Sequence, residues 1–137
     1  MFEQLREYLK NEYNQEMAKF ENLKQQMEEL ENELKVDDSE ELYQTNLKAL
    51  NKKFGLFKKG SKEYKEELYK IQSEYFEKLK EFEAKHDHYL ELKKEASMIN
   101  IYVIQKKLER LNNANTLEDL KLTEEDALQI ISGERTF

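Results

Sequence analysis

The sequence has no cysteine, no proline and no tryptophan, and only three glycines in 137 residues. The lack of cysteine excludes disulfides and thiol chemistry, and fits a reducing interior. With no proline and so little glycine, long helices escape their two commonest interior breakers. No apolar run approaches the roughly 20 residues needed to span a bilayer. The N-terminal residues Met1 to Glu7 lack the basic start and apolar block of a secretory signal. The expectation is a protein of the cytoplasm, or of a host-cell or virion interior. A net charge of −7 argues against a general nucleic-acid binder.

What is present is periodic. Hydrophobic residues make up 38% and charged residues 39%, the balance of helices that each bury one stripe and solvate the rest. Disorder is the competing reading of that balance. The regular spacing, with seven Phe and eight Tyr, argues against it. From Lys62 to Leu111 apolar residues recur at steps of mostly three and four through Tyr64, Leu68, Ile71, Tyr75, Leu79, Phe82, Tyr89, Leu92, Ala96, Ile99 and Val103. As one helix this stretch would reach roughly 75 Å, and a helix that long must lean on another.

Its partner lies upstream. Phe2, Leu5, Leu9, Tyr13, Met17 and Phe20 begin a helical pattern, and Phe20, Leu23, Met27, Leu30 and Leu34 continue it in heptad steps. Val36-Asp37-Asp38-Ser39 interrupts the pattern; Asp38 with Glu41 has the form of a capping box, and Ser39 is an alternative cap. A second helix follows from about Glu40 to Phe57, carrying Tyr43, Leu47, Leu50, Phe54 and Phe57. Lys58-Lys59-Gly60-Ser61 reads as a turn, with Gly60 suited to a left-handed position and Ser61 to capping the next helix.

These elements predict an all-α fold: a long antiparallel, coiled-coil-like hairpin over residues 1–111. Its arms are 2–57 and 62–111, its turn is 58–61, and its N-terminal arm is kinked near Val36. Facing residue numbers would sum to about 120. Residues 112–137 form a polar linker and a short helical segment. Thr116 with Asp119 and Thr123 with Asp126 offer caps, Ser132-Gly133 ends the last helix, and Glu134 to Phe137 reads as a frayed tail. Leu117, Leu120, Leu122, Leu128, Ile130 and Ile131 are too apolar for a free tail. A reversal at Asn112 to Asn115 would lay them on Ile101, Ile104, Leu108 and Leu111, near Phe2, Leu5 and Leu9.

Little points to chemistry. His86 and His88 are two residues apart, which puts their rings about 200° apart on a helix rather than on one metal-binding face. There is no Glu-x-x-His pattern, no glycine-rich phosphate loop and no nucleophile elbow. No enzyme, cofactor or metal is expected.

Two regions are candidates for interaction. At the turn, Lys48, Lys52, Lys53, Lys58, Lys59, Lys62 and Lys65 cluster around Phe54, Leu56 and Phe57, a composition that suits nucleic acid, an acidic protein surface or a membrane face. The bland alternative is that these lysines offset a helix dipole and solubilise the turn. In the second region, Met98 to Ile104 is apolar nearly all round. Ile99 and Val103 continue the seam, while Ile101, Ile104 and Leu108 point elsewhere, toward a third helix or a partner. Leu128, Ile130 and Ile131 belong with this second group.

Lys59-Gly60 in a turn, a charged helix with Tyr89-Leu90 and a later Asn100 place residues 47–108 in loose similarity to the YlbF/YmcA family of small helical bacterial regulators. Residues 1–46 and the C-terminal tail carry no such similarity, and no function is transferred through it. Prefoldin-like chaperones share a long hairpin but have a strand-forming tip that is missing here. The functional expectation is a non-enzymatic adaptor or scaffold-like protein working through a protein partner or self-association. Its Lys-, Glu-, Asn- and Tyr-rich composition suits an AT-rich bacterium or a phage, where an accessory or host-inhibiting role is conceivable. The alternative is a nucleic-acid-associated regulator using the basic tip.

Overall fold

Helix α1 runs unbroken over Phe2–Lys35, as its uninterrupted apolar period requires. The computed structural model describes residues 1–55 and 60–137. They form an all-α hairpin whose further elements are α2 (Ser39–Phe54), α3 (Lys62–Ser97), α4 (Ile101–Asn113), a 3₁₀ turn (Glu118–Leu120) and α5 (Glu124–Ile131). Among the described residues no helix is long and apolar enough to cross a membrane.

The kink falls where the sequence places it, but its capping differs. Asp38 is the N-cap residue of α2 without a side-chain cap bond. Ser39, buried in spite of its polarity, donates its hydroxyl to Asp37 Oδ1 at 2.6 Å. That bond satisfies the hydroxyl locally, and the expected Asp38–Glu41 box is not made.

Helix α2 stops at Phe54 rather than Phe57. Gly55 takes φ +67°, and its N–H donates to Asn51 O at 2.9 Å. The positive φ at the end of α2 thus falls on Gly55, where a side chain would be strained. Leu56, Phe57, Lys58 and Lys59 lie outside the described residues. Ser61 caps α3 as expected, its Oγ accepting from Tyr64 N at 3.2 Å.

The second arm is two helices, not one. The amides of Met98 and Ile99 bond back three residues, to Glu95 O and Ala96 O, which tightens and ends α3. Ser97 Oγ donates to Lys94 O at 2.6 Å, and Asn100 Oδ1 accepts from Val103 N at 3.2 Å to cap α4. Ser and Asn compete with helical backbone bonding in this way, and apolar periodicity is blind to it. The break also resets the phase: Val103, expected in the seam, is 39% exposed, while Ile104 is buried.

The chain divides into two compact units, Met27–Leu92 and Met1–Gln26 with Lys93–Phe137. In the first, the end of α1 and all of α2 run antiparallel to α3. Glu33 pairs with Lys85 at 3.6 Å and Lys53 with Glu67 at 2.8 Å. Tyr43 stacks on Tyr75, and Phe54 meets Tyr64 edge-on with centroids 5.7 Å apart. Each pair of numbers sums to within one turn of 120. Leu50 and Leu92 are buried.

The second unit holds the larger core. Leu5, Leu9 and Tyr13 of α1 pack with Ile104, Leu111 and Ala114, and with Leu120, Ala127 and Ile130 of the C-terminal segment. Leu5 and Leu111 are fully buried. A segment too short to be helical alone is held by this burial and by its caps. Thr116 and Asp119 exchange side-chain and backbone bonds, and Thr123 with Asp126 completes a capping box. The last residues are not frayed, contrary to expectation. Glu134 and Arg135 donate their amides to Gln129 O, Arg135 pairs with Asp126, and the Phe137 ring lies 4.8 Å from the Arg110 guanidinium.

Candidate interaction surface

The apolar residues singled out around α4 and α5 divide by face. Ile104 and Ile130 are buried, Ile101, Leu108 and Ile131 are half-buried, and Leu128 is 54% exposed. Most of that group closes the fold, because α4 and the tail lie against each other. The side chains left outside are different ones: Met98 at 73% and Tyr102 at 68% exposure, beside Val103. The sequence flagged this stretch as apolar all round, but which residues remain outside depended on the break at Asn100.

Beside them runs a groove of about 530 Å³. Its α1 wall presents Tyr8, Glu12 and Glu16 at successive turns, and its other wall presents Met98, Asn100 and Val103. Buried Leu9, Tyr13, Ile104 and Ile130 make the floor, and residues 133–137 also line it. The volume is in the range of about 300–1,000 Å³ typical of ligand clefts, although this one is open.

Glu12 and Glu16 put two carboxylates on the α1 wall of the groove. Hydrogen bonding to Glu12, then burial, then the Glu12 charge hold the Tyr8 phenol above its ordinary value. Burial and the charges of Glu12 and Glu16 raise Tyr13 likewise, opposed by Arg110. The cations lining the groove are engaged: Lys107 lies 5.7 Å from the Tyr13 ring centroid, and Arg135 is paired with Asp126. Glu12 and Glu16 were not singled out in the sequence, where a carboxylate on a charged helix carries no distinguishing mark.

At the tip, Lys52 and Lys48 are exposed, but Lys53 is drawn back by Glu67 and stands 5.4 Å from the Phe54 ring. Phe54 is itself half-buried against Tyr64, whose hydroxyl donates to Asn51 Oδ1 at 3.1 Å. Seven lysines between residues 48 and 67 stand beside three glutamates, Glu63, Glu66 and Glu67. The structure therefore engages part of the basic cluster internally, while Phe57, Lys58 and Lys59 are outside the described residues.

His86 and His88 are exposed on α3. Among the described residues, no group of three or more His, Asp or Glu side chains is arranged to hold a metal ion. No protein-family model matches the chain, and no curated protein and no solved structure matches it. The similarity of residues 47–108 to the YlbF/YmcA family thus rests only on the residues quoted for it.

Proposed function

We propose that this chain is a non-enzymatic helical interaction protein, an adaptor or scaffold-like component that works by docking other protein surfaces. The observation that carries this reading is the apolar outcrop of Met98, Tyr102 and Val103 beside the groove along α1. Large exposed apolar side chains next to a concave surface with a polar rim are the pattern of a protein-binding site. Exposed methionine suits the role because its side chain adapts to varied partners. An accessory role in a phage or mobile element, including inhibition of a host protein, uses the same surface.

The test is affinity capture from source-cell extract with the wild-type chain and with Met98→Asp/Val103→Asp. Loss of a captured protein in the variant, with its thermal melt unchanged, is the expected result. An identical captured set would sink the reading.

The second reading, nucleic-acid association, is favoured by one observation, the exposed lysines of α2. It predicts binding that falls steeply with salt, because each phosphate contact releases counterions. Nucleic-acid affinity unchanged by Lys48→Glu/Lys52→Glu removes it.

A further inference from the structure

Two surfaces of this chain complement each other in charge and in the spacing of their charges. The first is the groove, where Glu12 and Glu16 stand one helical turn apart beside exposed Met98 and Val103. The second is the outward face of α2. There Lys48 and Lys52 also stand one turn apart, next to Leu42, Thr45 and Ala49, all exposed. Residues four apart on a helix lie about 6 Å from each other, so the two cations match the spacing of the two carboxylates. Thr45 and Ala49 are small and let a neighbouring backbone approach closely. Leu42, at 38% exposure, supplies an apolar side chain near the start of the same face.

We infer that the α2 face of one copy docks on the groove of a second copy, with Lys48 and Lys52 over Glu12 and Glu16 and Leu42 against Met98 and Val103. This rests on the reading of the groove as a protein-binding surface and names its occupant. The apolar contact provides the attraction, and the charges select partner and register. The contact is either reciprocal, closing two copies into a pair, or head-to-tail, leaving one groove and one α2 face free for further copies. The lining cations Lys107 and Arg135 lie against Tyr13 and Asp126, and Glu12, although it accepts from the Tyr8 hydroxyl, keeps further acceptor sites for an incoming lysine. The ion pairs form at the surface, so added salt screens them.

Sedimentation velocity of the full chain over a wide concentration range tests this. The expected result is a sedimentation coefficient that rises with concentration and falls when salt is added. Glu12→Lys/Glu16→Lys and Lys48→Glu/Lys52→Glu should each weaken association by roughly tenfold or more. Mixing the two variants should restore it, because the intact lysine face of one meets the intact groove of the other. All four positions are exposed, so the melts of both variants should stay close to the wild type, the first less the Tyr8–Glu12 hydrogen bond. A wild-type chain that stays monomeric throughout overturns the inference. So do variants that associate as the wild type does, or a mixture no larger than its components. A monomeric wild type leaves the groove itself to be judged separately, by the capture experiment with the Met98 and Val103 variant.

Discussion

Tyr43 and Tyr75 stack with ring centroids 4.2 Å apart and planes 16° from parallel, joining α2 to α3 across 32 residues of sequence. The Tyr75 hydroxyl also donates to Glu40 one turn before Tyr43. A stacked aromatic pair adds geometric preference to burial, so it fixes the register of the two helices where aliphatic contacts would tolerate sliding. Tyr75→Phe keeps the stack and loses the bond; Tyr75→Leu loses both. The Tm should fall in the order wild type, Phe, Leu by thermal circular dichroism. Equal Tm for the Phe and Leu variants would mean that the stack contributes nothing.

Leu128 and Ile130 sit two residues apart on one short helix with opposite fates. Ile130 is buried and Leu128 is 54% exposed. Ile130→Ala should cost about 2–5 kcal/mol in urea unfolding, and Leu128→Ala about 0.5 kcal/mol or less. Comparable losses at both sites would contradict the docked C-terminal segment.

Asn100 interrupts what periodicity alone reads as one helix. Removing its cap in Asn100→Ala should cost about 1 kcal/mol. Because Ala also favours helix, the variant should show equal or greater ellipticity at 222 nm despite lower stability. A stability unchanged from wild type would assign the break to another cause.

Asp119 and Asp126 hold their segments by accepting backbone N–H bonds, which depresses both carboxyls below their ordinary value of 3.8; for each the amide bonds are the leading cause, from Asn115 and Thr116 at Asp119 and from Thr123 at Asp126. A depressed folded value means the stabilisation is complete above 3.8 and is lost as pH falls through the folded value. The C-terminal segment should therefore loosen below pH 3.8. Asp119→Asn/Asp126→Asn should flatten the acid limb of the stability profile, and an unchanged limb would place the acid sensitivity elsewhere.

Three tyrosines, Tyr8, Tyr13 and Tyr75, have phenols raised above 10.0: Tyr8 and Tyr75 chiefly by hydrogen bonds to Glu12 and Glu40, Tyr13 chiefly by burial. A raised folded value gives stability that is present below 10.0 and lost as pH climbs through it. Ultraviolet titration should show a late-ionising fraction of tyrosinate, reduced in Glu12→Gln. A single titration step at 10.0 would be the contrary outcome.

The sequence by itself determined the helical class, the kink, the reversal and the register, because each follows from local chemistry. Residues at steps of three and four set the buried stripes, Val36 to Ser39 broke the first arm, and Ser61 and Thr123 announced their caps. It also held the apolar content of the C-terminal segment, which had to be buried somewhere. Local capping that apolar period does not show, and then tertiary packing, decided the rest. The end of α2 went to Gly55, and the second arm broke at Asn100, where side chain–backbone bonding won over apolar period. That break turned Ile104 inward and left Val103 partly outside, and so chose the exposed residues of the groove. The carboxylates of Glu12 and Glu16 became distinctive only when α1 lay beside α4. A charge on a solvated helix face has no meaning in sequence until another element gives it a neighbour.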